Sequence, residues 1–338
     1  MHADVVGAGV FGLAVATELV ERGVSVTLHE RNAGLGGNAS WLAGGMLAPF
    51  CEGESAPASV VERGRGALDW WARRVPGVLR NGTLVVAPPR DAADLDRFAA
   101  RTQDWERVDE AGVAALEPDL AGRFRKGLFF AGEGHLDPRE AMGALRDGLI
   151  RNGAELNFAR PFPLGEIDGW PSPSPRLRGE GKGEGRPRLV VDCRGFAARD
   201  SLPELRGVRG EMLLLRTDEV RLSRPVRLLH PRIPLYIVPR AGGVFMIGAT
   251  MVESAEKGGV TARSAIELLS AAFALHPAFG EAEILEMRAA VRPAYADNEP
   301  RVIARDGRIF VNGAYRHGFL LAPDMAARAA EMAVKLVD

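Results

Sequence analysis

Three glycines at fixed spacing and one acid carry the clearest chemistry in this chain: Gly7, Gly9 and Gly12 in the run Gly7-Ala-Gly9-Val-Phe-Gly12, and Glu30, eighteen residues beyond Gly12. Glycines so spaced give a tight turn, a backbone bare enough for a pyrophosphate to approach, and close contact between a helix and the preceding strand. The pyrophosphate would sit at the helix N-terminus, where unpaired N–H groups and the positive dipole end favour anions. A carboxylate at Glu30 can accept hydrogen bonds from an adenosine ribose and favours an unphosphorylated one. Glycine-rich turns before helices also serve as plain packing devices, so the flanking elements must decide between the two.

Those elements occur in the required order. An apolar strand, His2 to Val6, runs into the glycines, an apolar helix pattern covers Leu13 to Arg22, Gly23 ends it, and a second strand, Val24 to Leu28, delivers Glu30. Strand, fingerprint, helix, strand and acid together predict a dinucleotide site. Further on, helices are expected over 67–74, 91–102 and 139–152, the last with Asp137 as N-cap and Gly153 past its end. Strands are expected over 84–87, 127–131, 155–158 and 189–193. From Arg209 the chain turns strand-rich, with 211–216, 235–238, 244–250 and 284–291 around a helix at 262–275, and it closes with a strand at 309–313 and a helix from Ala322 to Val337. Between Pro161 and Pro187 alternating proline and serine give way to alternating glycine and charge, a composition that cannot bury a core and reads as a flexible insertion over 165–187.

Length and composition narrow the class. At 338 residues the chain is long enough for two domains, and 40 glycines exceed the background of ~7%. With 43 basic against 44 acidic residues and no basic stripe, nucleic acid is not an expected partner. Cys51 and Cys193 are the only cysteines, with no metal-ligand spacing and no disulfide framework. The chain enters its first strand at once and has no apolar run near the ~20 residues that cross a bilayer, so a cytoplasmic protein without membrane attachment is expected.

The chain resembles the glycine and D-amino-acid oxidase family of FAD enzymes, in particular the glycine oxidases of thiamin biosynthesis. Beyond the fingerprint, the resemblance rests on Ala39-Ser40-Trp-Leu-Ala-Gly44-Gly45-Met46-Leu-Ala-Pro49, Arg209-Gly-Glu-Met212, Tyr236-Ile-Val-Pro-Arg240, Gly248-Ala-Thr-Met251, Arg292-Pro293 and Gly313-Ala-Tyr-Arg316-His-Gly318-Phe-Leu-Leu-Ala-Pro323. It implies an α/β (α+β) two-domain fold: a Rossmann-like FAD-binding domain of 1–75, 139–208 and 300–338 interleaved with an antiparallel-sheet substrate domain of 76–138 and 209–299. Noncovalent FAD is implied, since Cys51 is not where related sarcosine oxidases carry their covalent linkage. By the same resemblance Gly7, Gly9, Val10, Phe11 and Gly12 serve the pyrophosphate turn, and Glu30 and Arg31 the ribose. Ala39, Ser40, Gly44, Gly45 and Met46 run past the flavin ring, Phe162 lies beside adenine, and Ala314, Tyr315, Arg316, His317, Gly318, Phe319 and Leu320 close over the flavin.

For the substrate, the resemblance assigns Arg292 as the carboxylate anchor, where arginine's planar fork matches a carboxylate. Tyr236 supports it, Arg316 stands at the flavin and substrate boundary, and Met251 lines the pocket. No side chain is expected to act as acid or base. The implied reaction oxidises glycine or another small amine to its imine and passes electrons to O2, giving H2O2, with a thiazole synthase downstream and a homo-oligomeric assembly. Rival readings are a D-amino-acid or proline-like dehydrogenase that feeds a quinone or carrier, a noncatalytic flavin-binding protein, and an NAD-dependent dehydrogenase, which leaves Ser40 to Met46 and the Arg316 turn unexplained.

Overall fold

The computed structural model describes residues 1–163, 189–229 and 235–336, so the insertion expected at 165–187 lies outside the described residues. The first sheet has six strands in the order Arg301–Arg305, Arg308–Asn312, Leu189–Asp192, His2–Val6, Ser25–His29 and Glu155–Asn157. All neighbours are parallel except the first pair, a hairpin. Short runs of Val, Leu and Ile buried on both faces suit such a sheet, and helices Val10–Glu21, Pro138–Arg151 and Gly318–Lys335 join Trp70 and Trp71 in its core.

Two helices begin earlier than the sequence pattern suggests. The first starts at Val10 rather than Leu13, which places Gly12 in its opening turn, where an added Cβ would fall 1.8 Å from the Gly7 carbonyl oxygen. The last starts at Gly318 rather than Ala322 and carries Pro323 inside it. Proline normally marks a first turn because it lacks an N–H for the carbonyl four residues back. Here that carbonyl, Phe319 O, accepts from Trp71 Nε1 at 2.9 Å instead.

The second sheet has nine strands, antiparallel but for one parallel pair, Thr83–Val86 with Val226–Leu228. Its longest strands, Arg206–Arg216 and Glu283–Ala294, pair along their whole length, with Val208 opposite Arg292 and Gly210 opposite Ala290. Both outrun the expected 211–216 and 284–291 because the extra residues include Arg206, Gly207, Arg209, Gly210, Arg292 and Pro293, which break the apolar alternation without breaking the ladder. Helix Ala262–Leu275, capped by Thr261 accepting from Ser264 N, lays Leu268, Ala271, Ala272 and Leu275 on one face of this sheet. The result is a mixed α/β fold with a parallel and an antiparallel sheet, and the segment 39–47 runs between them.

Candidate active site

A cavity of about 720 Å³ runs from the glycine turn to the second sheet, within the range of cofactor sites. At its first end Gly7 has φ +102°, and a Cβ there would fall 2.7 Å from the Cys193 carbonyl oxygen. Gly9 caps the first helix with no side-chain bond, and that helix has no acid in its first turn. The N–H groups of its first turn beyond Val10 are therefore suited to an anion. Val10 N donates to Ser40 Oγ at 3.0 Å, tying the helix start to the segment that follows Asn38. Glu30 is buried, accepting from Ala8 N at 2.9 Å through one oxygen and from Asn32 N and Nδ2 through the other. It thus braces the glycine turn besides facing the cavity, and Phe162 packs at a tilt against His29, with ring centroids 4.6 Å apart and planes 55° from one another.

The middle of the cavity is built from the segment 39–46 and the turn 314–317. Asn38 Oδ1 accepts from Trp41 N to start the short helix Ala39–Leu42. Two arginines then hold the segment from outside: Arg139 Nε donates to Trp41 O and Arg240 Nη2 to Ala43 O. Gly44 and Gly45 owe their identity to packing, because a Cβ on Gly44 would fall 2.8 Å from the Tyr236 ring and one on Gly45 2.1 Å from Leu136 O. Tyr315 sits in the left-handed region at φ +47°, held by its N–H donating to Pro293 O at 2.8 Å. Gly318, Phe319 and Leu320 are the first turn of the last helix, not part of a loop.

The far end gathers charge. Arg292 extends over Gly210, whose absent side chain makes room for the guanidinium, and donates to Thr250 O at 3.1 Å. Among the described residues no carboxylate lies within ion-pair distance of it. Burial pulls Arg292 below the ordinary arginine value, with Tyr236 opposing. The Tyr236 ring packs with its Cε2 edge close to Gly44 and Gly248, and burial raises its hydroxyl while Arg292 opposes. Arg316 is not free to meet a ligand alone: its Nη2 lies 2.9 Å from Glu52 Oε2 and donates to Ser55 Oγ at 2.7 Å. Met251, two-fifths exposed, accepts from Tyr315 and Arg316 at the cavity mouth.

Every residue singled out from the sequence lines this one cavity except Gly12, which serves helix packing. Lining residues that were not foreseen include Glu52 and Arg227. Glu52 ends the four-residue helix Pro49–Glu52, and Arg227 lies 3.8 Å from it and 3.5 Å from Glu54. Burial alone would raise the Glu52 carboxyl, but Arg316, His317, Arg227 and Arg292 together hold it below the usual carboxylate value. His317, buried with Nδ1 3.4 Å from Glu52, is pushed down to about 4 by desolvation and stays neutral near pH 7. A lone Glu among Pro, Phe and Cys was the one available sequence signal. Cys51 does not line the cavity; its Sγ faces Arg227 at 3.7 Å. Among the described residues no group of His, Cys, Asp or Glu is arranged to hold a metal, and no helix is long and apolar enough to cross a membrane.

Comparison with known proteins agrees with this geometry. The family model described as DAO, FAD dependent oxidoreductase, matches residues 4–332. The chain belongs to this family of FAD-dependent oxidoreductases. Within the family, a Rhizobium etli protein named "Putative thiamine biosynthesis oxidoreductase ThiO" is 55% identical over 96% of this chain and 94% of its own length. A Pseudomonas aeruginosa glycine oxidase is 27% identical over 94% of this chain and 91% of its own. The crystal structure of a Geobacillus kaustophilus glycine oxidase superposes with a TM-score of 0.77 at 24% identity, covering 98% of this chain and 94% of that one. The bare helix terminus, the glycine turn and the braced Glu30 fit the FAD that this family uses.

Proposed function

We propose that this oxidoreductase converts glycine, or another small amino acid, to its imine and reduces O2 to H2O2, with FAD held noncovalently. The observation that carries the substrate class is Arg292, a cavity-lining cation that lacks a carboxylate partner among the described residues. Arg316 and Arg227 already have Glu52 and Glu54 within ion-pair distance. Arg292 would take a substrate carboxylate on its two-pronged edge, and Tyr236, whose ring packs close to Gly44 and Gly248, would add its hydroxyl. These two contacts orient the α carbon toward the segment 43–46.

FAD, when bound, supplies the electron acceptor that takes a hydride from the α carbon and passes the electron pair to oxygen. Gly9, Val10 and the first helix turn would hold its pyrophosphate, Glu30 its ribose, and 39–46 with 314–320 its ring. We assign residues 1–75, 139–208 and 300–338 to the cofactor-holding unit and 76–138 and 209–299 to the substrate-facing unit. The relatives' names support glycine as substrate and a role in thiamin synthesis; we further propose thiazole formation as the consuming step, a homo-oligomeric assembly and action in the cytoplasm. The test is stoichiometry: purified protein should release one H2O2 per glycine consumed, and Arg292→Ala should abolish turnover while the protein retains FAD. Glycine turnover unaffected by that substitution would remove the proposed anchor.

A further inference from the structure

An amino acid brings two charges into a pocket, and Arg292 answers only one of them. Of the described residues lining the cavity only Glu30 and Glu52 are acidic, and Glu30 is spent on Ala8 and Asn32 at the opposite end. Glu52 belongs to the substrate end, within electrostatic reach of Arg292, Tyr236, Arg316 and His317. Its Oε2 is buried and close to Arg316 Nη2 and His317 Nδ1, yet neither contact has hydrogen-bond geometry, and His317 Nδ1 and Arg316 Nε are likewise buried without a bond. Buried polar atoms normally find partners, so an unspent carboxylate oxygen at a cavity wall marks a place for a donor.

We propose that Glu52 pairs with the substrate's ammonium group and, with Arg292 on the carboxylate, forms a two-point site that selects amino-acid zwitterions over carboxylates lacking an amine. This rests on the amino-acid reading above and deepens it. A carboxylate held below its usual pKa is a poor keeper of protons, so Glu52 acts by charge and position rather than as a base. The short helix that carries it is fixed from behind by Glu133, whose Oε1 accepts from Cys51 N at 2.7 Å.

Rapid anaerobic mixing with the FAD-loaded protein separates this role from a structural one: the glycine dependence of the flavin-reduction rate gives the glycine Kd, and perturbation of the oxidised flavin spectrum gives that of the unreactive ligand acetate. Glu52→Gln removes the negative charge and leaves Arg292 intact. Glycine should then bind roughly tenfold to a hundredfold more weakly, the loss of one charged contact, while acetate binds as well as before or better, because Arg316 loses its counter-charge. Parallel weakening of both ligands, or unchanged glycine binding, would overturn the proposal. Should Glu52→Gln fail to hold FAD, the unaltered protein gives the answer: methylammonium should compete with glycine, and no competition would overturn it. Selective binding of glycine without flavin reduction would instead refute the oxidase reading and leave this one standing.

Discussion

Gly210→Ala should disable the site without replacing any residue proposed to contact substrate. Gly210 lies in the strand Arg206–Arg216 and its φ is not positive, so the backbone accepts alanine. The new Cβ, however, would stand 2.2 Å from Arg292 Cζ and Nη2 and 2.7 Å from Nη1. Ordinary carbon contacts need about 3.5 Å, and the guanidinium is the movable party, so it must retreat by roughly 1 Å or swing away. A displacement of ~1 Å in a positioning group costs about 100-fold, and losing one charge-assisted bond at ~1.5–3 kcal/mol gives the same order. The expected result is a fall of about 100-fold in kcat/KM for glycine with thermal stability nearly unchanged. In a double-mutant cycle with Arg292→Ala the two losses should not add, since both act through one side chain. Turnover within threefold of the parent, or fully additive losses, would refute the reasoning.

Three further outcomes follow from buried groups. His317, held down to about 4 from an ordinary 6.5, lends stability that is present above pH 6.5 and lost as pH falls toward 4; the ceiling is ~3 kcal/mol, and thermal melts of His317→Asn should show a shallower acid-side decline, His135 keeping its own share. Glu133, pushed up to about 8 by burial, acts in the opposite direction: its contribution is present below the usual carboxyl value and lost as pH rises through 8. Glu133→Gln, which cannot ionise, should therefore gain on the parent protein in melts between pH 5 and 8, by an amount on the order of several kcal/mol at most. Trp71→Phe removes the donor to Phe319 O inside the last helix, and leaving that buried carbonyl unpaired should cost about 1–3 kcal/mol, lowering Tm by several degrees; an unchanged Tm would show that another donor takes over.

The parallel sheet and the glycine turn were legible because each depends on a short stretch of chain. Val5, Val26 and Val191 declare themselves by composition, and Gly7 and Gly9 by spacing. Helix ends at Val10 and Gly318 were not legible, since the first is hidden under glycine chemistry and the second depends on Trp71, some 250 residues away, meeting a carbonyl that Pro323 leaves unbonded. The same holds for the site. Arg292 and Tyr236 could be named from local motifs, but Glu52 takes its meaning from Arg316 in a distant turn and from Glu133 behind its helix. The strand pairing that sets Arg292 over Gly210 is likewise a fact of register, not of either segment alone.

The central claim is that this family member takes electrons from an amino acid and delivers them to oxygen. Mixing the FAD-loaded protein with glycine in the absence of air, and following the flavin absorption band before and after air is admitted, tests it most directly. The account predicts loss of the band with glycine and its return in air with one equivalent of H2O2. A band that persists with glycine and every other small amino acid, or one that is lost and does not return in air, would contradict it.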